Sequence, residues 1–375
     1  MKTSEDCAGR ARSAAAERVV GGVWARAWMS VVKWVVVALL VGGVGLAGCA
    51  SRRVGQVLER RGQEIMVAGQ LVHVGAPVVL WTDPGGYDGY RVEKRFAPWD
   101  QSEWDKEGKK GPAQPNRYGI RRAGLSDEEF ERVRGGGWTL EQLRERVDQF
   151  VMHYDVCGTS RTCFRVLHDQ RYLSVHFMLD IDGTIYQTLD VKERAWHATI
   201  ANDRSVGIEI ANIGAYGSDE KDPFAQWYAR DAWGTRITIP AALGDGGVRT
   251  PGFVGRPSHA EAVLGVIGGK ELRQYDLTPE QYASLSQLTA ALHSVLPRIR
   301  LEYPRDGEGR LINRTLSREE WEGFSGVLGH YHIQENKVDP GPAFDWERVI
   351  GGARREAGER ESRPVLAGSA MKKAR

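Results

Sequence analysis

The sequence predicts an α/β domain, a central mixed sheet flanked by helices, and three observations predict it. Phe150-Val151-Met152-His153-Tyr154 and the run from Val206 to Asn212 have the apolar, β-branched composition of buried strands. Asp182-Gly183 stands between Phe177–Leu179 and Thr184–Thr188, which marks a hairpin. Thr278-Pro279-Glu280-Gln281 opens a helix, Leu285, Leu288, Leu292 and Val295 follow at helical spacing, and Pro297 marks its end. Strand and helix patterns that alternate along a chain indicate a layered α/β architecture.

From the N-terminus, the first legible feature is an address. Trp34 to Gly48 are fifteen consecutive uncharged, mostly apolar residues, with Lys33 before them and Arg52-Arg53 after. The run is short for a membrane-spanning helix, which needs about 20 residues, and suits the apolar core of a secretory signal. Leu46-Ala47-Gly48-Cys49 resembles a bacterial lipobox, which implies lipidation of Cys49 and a membrane anchor. Ala50, with no acidic residue beside Cys49, implies sorting to an outer membrane, facing the periplasm. Met29 is a second candidate start, since Met29-Ser30-Val31-Val32-Lys33 would open a more compact signal over residues up to 49.

Residues 50–125 read as a polar tether and an N-terminal extension. Val78-Val79-Leu80-Trp81 and the turn at Pro84-Gly85-Gly86 predict short strands or extended arms, and 99–118 a loop. The compact domain is expected over 126–350. Ser126-Asp127-Glu128-Glu129 and Thr139-Leu140-Glu141-Gln142 match the capping box that opens a helix. Residues 214–275 mix charges, prolines and glycines without a clear period and read as an insertion. Residues 351–375 are charged with little apolar content, and the expectation there is a disordered tail.

Composition excludes several classes. Lys+Arg 51 against Asp+Glu 49 leaves a net charge of +2, which gives no reason to expect nucleic acid as a partner. No repeat of fixed period points to a solenoid. Cys7, Cys49, Cys157 and Cys163 form no CxxC pair, which argues against a cysteine-rich zinc module. Cys157 and Cys163 are close in sequence in an exported domain, and a disulfide between them is the expectation.

Polar residues interrupt apolar segments at three places. His153 stands within a strand. In Val206-Gly207-Ile208-Glu209-Ile210, alternation puts Ile208 and Ile210 on one face and Gly207, Glu209 and Ala211 on the other. A glutamate facing a core is costly unless paired, so that face is expected to open on a site. The third place is Gly329-His330-Tyr331-His332 followed by Lys337-Val338-Asp339-Pro340-Gly341. Two imidazoles and one carboxylate, with a fourth position open, suit a catalytic zinc. In an extended segment, His330 and His332 would point the same way, so residue type alone leaves both as candidates.

Four segments then carry a resemblance: Val151-Met152-His153-Tyr154, Arg194-Ala195-Trp196-His197-Ala198, Ser205-Val206-Gly207-Ile208-Glu209, and Lys337 through Trp346. In this order they resemble the type 2 N-acetylmuramoyl-L-alanine amidases, a superfamily that includes the peptidoglycan-recognition proteins. The resemblance runs from about residue 148 to 348, interrupted by the insertion. It implies a single zinc-amidase domain that cuts the bond between N-acetylmuramic acid and L-alanine in peptidoglycan or muropeptides. It implies one Zn2+ held by His153, His330 and Asp339, with Glu209 as general base and Lys337 as the cation for the oxyanion. Trp196 and His197 match a motif beside the substrate, and His176 a histidine near the site that binds no metal. His168 and His259 take no part. The spacing from His330 to Asp339 is one residue shorter than in some relatives. Members that only bind peptidoglycan usually lack a zinc ligand, so the enzyme reading is preferred over a binding module.

Overall fold

The computed structural model describes residues 59–102 and 118–358, together with Val54. The signal-like segment, Cys7, Cys49 and residues 359–375 lie outside the described residues. The described residues from Arg60 onward form one compact unit.

That unit opens with a hairpin, β1 (Glu64–Val67) and β2 (Gln70–His73), and continues into β3 (Val78–Leu80). β4 (Tyr118–Gly119) precedes helices α1 (Asp127–Gly136) and α2 (Leu140–Arg146). Both helices begin with the expected capping boxes, Ser126 with Glu129 and Thr139 with Gln142. β5 (Gln149–Tyr154) leads to α3 (Ser160–Phe164), which runs on into a π-helical turn at Arg165–Gln170. β6 (Phe177–Leu179) and β7 (Ile185–Gln187) form the expected hairpin. After β8 (Arg194–Ala195) comes β9 (Ser205–Ile210).

The insertion is well built. β10 (Ala215–Tyr216), α4 (Phe224–Trp227), β11 (Tyr228–Asp231) and β12 (Gly234–Ile237) precede β13 (Val263–Ile267) and β14 (Lys270–Gln274). α5 (Pro279–Val295), α6 (Arg318–Gly323), β15 (Gly326–Gly329) and α7 (Trp346–Glu356) complete the fold. No described helix is long and apolar enough to cross a membrane.

The central sheet has six strands in the order β15-β5-β9-β6-β7-β3. It is mixed: β15, β5, β9 and β6 run parallel, β7 is antiparallel to β6, and β3 is parallel to β7. Both faces are covered, as a largely parallel sheet requires. Phe150, Met152, Ile208 and Ile210 pack with Leu285, Leu288 and Leu292 of α5 and with Val349 and Ile350 of α7. On the other face Val151 and Leu328 meet Trp321 of α6, and Met178 meets Phe164 of α3. The sheet therefore leaves its polar positions at the C-terminal ends of β5 and β9 as the opening of a site.

Two boundaries and one turn differ from expectation. The compact unit begins at Arg60, because the extension supplies β3 to the central sheet and buries Ile65 and Val67 in the main core. The closing helix runs to Glu356, beyond residue 350, because Gly352 and Ala353 are buried. The π-helical turn was not expected, and such turns often mark functional sites.

Candidate active site

The site is built where three parallel strands end. Register places His153 of β5 directly opposite Glu209 of β9 and pairs Gly329 of β15 with Met152. His330, the next residue, is therefore level with His153. The chain then leaves the sheet as a 3-10 turn, His330–His332. This turn separates the two histidines. His332 points into the core, accepting the Gly329 amide at Nδ1 and bonding the Ile312 carbonyl through Nε2. The extended geometry that would have aligned them ends at Gly329.

His153 Nδ1 and His330 Nδ1 are 3.0 Å apart. Asp339 Oδ2 lies 2.9 Å from the first and 3.0 Å from the second. The three atoms form a tight triangle that could hold a metal ion. Burial, then the neighbouring His330, lowers the His153 pKa to about 4, so this ring is neutral and a competent ligand. Burial works against charge on Asp339, but His330 and His153 outweigh it and hold the carboxyl well below its usual range.

The outer nitrogen of each ring is also engaged. His153 Nε2 meets His197 Nδ1 at 3.0 Å, and His197 Nε2 meets Ser205 Oγ at 3.2 Å. With Nδ1 of His153 facing the triangle, Nε2–H donates to His197, whose own Nε2–H donates to Ser205. His330 Nε2 donates to Gln334 Oε1 at 2.5 Å. Such outer partners fix ring orientation and tautomer in metal sites. Gly207 makes room for His197: a Cβ there would lie 2.5 Å from the imidazole. That explains the glycine between Val206 and Ile208 better than strand geometry does.

A cavity of about 290 Å³ opens over the triangle and is lined by Glu209, Lys337, Trp196, His197 and Arg171, among others. Glu209 is partly exposed to it, and its carboxylate forms no hydrogen bond with any described residue. Burial first, and then the charges of Asp339 and Asp155, push its pKa well above the ordinary glutamate range, while Lys337 pulls it back. Trp196 is partly exposed at the wall, its amide fixed to Ser174 Oγ and its ring under the Arg194 guanidinium. A larger hollow of about 620 Å³ lies in the extension near Trp81 and Trp99 and contains none of these groups.

Of the two histidines expected near the substrate, His197 lines the cavity and His176 does not. His176 is fully buried and does not line the cavity. Its Nδ1 accepts the Gly207 amide, so its Nε2–H donates to the Glu193 carbonyl. It braces β9 from behind. His197 does line the cavity, but both its nitrogens are committed to protein. Beside His176 lies Arg121, also fully buried, which donates to the carbonyls of Asn202, Ser205 and Val191. His168 and His259 stand outside the site, the first bonded to Asp169 and Arg91, the second to Asp276.

Cys157 and Cys163 are free thiols, not the expected disulfide. The neighbouring Cys163 thiol lowers the Cys157 pKa, while burial raises that of Cys163. Both line the cavity.

Sequence reasoning missed Gln334, Arg121 and Asp155. Gln334 could have been found, since it stands four residues after His330, the spacing that brings side chains together on a helical turn. Asp155 follows His153 by two and accepts the amides of Cys157, Gly158 and Asn212. Arg121 carries no local signal.

Residues 143–342 match the Amidase_2 family, N-acetylmuramoyl-L-alanine amidase, and the chain belongs to that family. No curated protein gives a significant match. Among solved structures, the chain is similar to an AmpD derivative at 17% identity, covering 71% of this chain and 98% of that one, with a TM-score of 0.30. It is similar to the endolysin amidase LysCS of Clostridium intestinale URNW at 16% identity, covering 56% and 84%, with a TM-score of 0.30. It is also similar to the E. coli amidase AmiD, solved with anhydro-N-acetylmuramic acid-L-Ala-D-gamma-Glu-L-Lys, at 18% identity, covering 55% and 57%, with a TM-score of 0.29.

Proposed function

We propose that this chain is a zinc-dependent N-acetylmuramoyl-L-alanine amidase of the cell envelope, anchored by lipid at Cys49 and acting on peptidoglycan or its fragments. The observation that carries the proposal is the placement of an unpaired carboxylate, Glu209, across the register from His153 and over the His153–His330–Asp339 triangle.

The donor set fits zinc. A tetrahedral zinc, with ligand bonds of about 2.0–2.2 Å, spaces its ligand atoms by roughly 3.3 Å. The observed edges of 2.9–3.0 Å are close to that and need only a slight opening. Two imidazoles and one carboxylate are the donor set that catalytic zinc sites use. When bound, the ion would supply Lewis acidity toward the substrate carbonyl and an activated water.

The chain's own groups do the rest. Glu209, the carboxylate that lines the cavity beside the triangle, accepts the proton of the attacking water as general base. The same carboxyl then returns the proton to the leaving nitrogen of L-alanine. The Lys337 ammonium faces the negative charge that develops on the carbonyl oxygen. The half-exposed Trp196 ring offers an apolar wall to the sugar or lactyl group. Products are a glycan strand and a free stem peptide.

The test is to incubate the chain from Ala50 onward with purified peptidoglycan and identify products by mass spectrometry, beside Glu209→Ala. Stem peptides with a free L-alanine amine, absent from the variant, support the proposal. Intact peptidoglycan that retains the protein points to a binding module. For the anchor, Cys49→Ala is expected to abolish incorporation of a labelled fatty acid, and continued labelling would refute it.

A further inference from the structure

We propose that Gln274, on the last strand of the insertion, is a positioning residue that holds the Asp339 loop in its ligating shape, so that the insertion is a working part of the metal centre. The proposal rests on the reading of His153, His330 and Asp339 as ligands.

Gln274 is 1% exposed. Its Nε2 donates to the Pro340 carbonyl at 3.0 Å and to Asn212 Oδ1 at 3.2 Å. Its Oε1 accepts the Ala343 amide at 3.0 Å. The two loop contacts bracket Gly341, whose φ is +90°, and a Cβ at Gly341 would collide with the Gln274 amide. The side chain thus fills the inside of the 340–343 turn like a template, and only glycine lets it enter.

The loop needs such a support. It lies outside the sheet, and among the described residues the Asp339 side chain bonds only to His153 and His330. Its own backbone bonds are isolated turn bonds, Lys337 N to Gln334 O, Gly341 N to Val338 O and Phe344 N to Gly341 O, with Tyr331 N to Asp339 O beside them. The direction of the carboxylate is therefore set by the backbone that follows it, and Gln274 grips the Pro340–Gly341 peptide unit, one residue beyond Asp339. Gln274 is itself well fixed. β14 is the middle strand of a three-stranded sheet, and Gln274 is in register with Ala215 on one side and Val263 on the other.

The grip extends to the other two catalytic strands. Asn212 follows Glu209 by three residues. It donates through Nδ2 to the Tyr275 carbonyl, and its amide donates to Asp155 Oδ1. Asp155 follows His153 by two. One buried polar chain, Asp155–Asn212–Gln274–loop, ties together the ends of β5 and β9 and the Asp339 segment. Groups in such a chain are costly to leave unpaired, so each member restrains the next.

The test compares the full chain with Gln274→Met, which keeps the volume and removes the hydrogen bonds, Gln274→Ala, and Leu272→Ala. The last removes a buried side chain of the same strand that bonds nothing in the loop. Zinc affinity is measured by competition with a chromophoric chelator, and hydrogen exchange of residues 339–343 in the metal-free protein. Both Gln274 variants are expected to weaken zinc binding about 10- to 100-fold, the usual effect of losing an outer-shell partner, and to speed exchange at the Ala343 amide. Leu272→Ala is expected to lower the melting temperature and leave both readouts in place. Gln274→Met with unchanged zinc affinity and unchanged exchange would overturn the proposal. A parent chain whose zinc binding is indifferent to His153→Ala would instead overturn the ligand reading beneath it, and that outcome is separately visible.

Discussion

His153 and Asp339 meet at one point, yet the chain holds them by different means. His153 belongs to β5, which is paired on both sides by parallel neighbours, β15 and β9. Its backbone position follows from sheet register, and its ring is backed by His197, which is seated against Gly207. Asp339 lies nine residues beyond His330 on a loop without a ladder, and is held by a few separate hydrogen bonds. Register spreads a constraint over many backbone bonds. A loop concentrates it in a few side chains, each of which one substitution can remove.

The largest expected effects ignore this difference. His153→Ala and Asp339→Ala each remove a proposed ligand, so bound zinc should fall from one per chain toward zero and amidase activity should fall to background. Metal analysis of the purified variants checks this. A variant that keeps its zinc would show that its residue is no ligand. Glu209→Gln comes next. It should retain zinc and lose about 10²- to 10⁴-fold in turnover, the contribution of a general base. Retained activity would move the base role elsewhere.

The comparison becomes sharp at the outer partners. His197→Ala should weaken zinc about 10- to 100-fold, while β5, fixed by register, keeps its slow amide exchange. Faster exchange along β5 would mean that the histidine pair, and not the sheet, holds that half of the site.

The smallest effect is in pH dependence. Burial and the charges of Asp339 and Asp155 raise the Glu209 pKa. As the proposed base, Glu209 must be ionised, so activity should fall as pH drops through that raised value. Burial also raises the Asp155 pKa, so where that carboxyl is ionised Asp155→Asn removes one negative neighbour, lowers the Glu209 pKa, and should move the acid limb of the kcat/KM profile to lower pH. A limb that stays in place would show that Asp155 does not act on Glu209.

The same contrast explains what was legible in the sequence. His153 and Glu209 stood out because each breaks the apolar alternation of a buried strand, and alternation survives folding. The helix α5 and the caps at Ser126 and Thr139 are local patterns for the same reason. The pairing of β3 with β7 was not legible, since it joins residues about 107 positions apart (Val78 with Ile185). Nor could alternation separate His330 from His332, because the strand ends just before them. His176 carries a family pattern, but its role as a brace depends on Arg121 and Glu193, which only the fold brings near. Gln274 lies in the segment with the weakest period, and its importance comes from what it touches 66 to 69 residues away.

The central claim is that the His153–His330–Asp339 triangle holds the zinc on which amide cleavage depends. The most direct test removes metal from the full chain with a chelator, then adds zinc back in steps while the release of stem peptides from peptidoglycan is followed. The account predicts that cleavage stops on removal and returns in full with one equivalent of zinc, in the parent chain and not in Asp339→Ala. Cleavage that continues at an unchanged rate in the metal-free protein would contradict it.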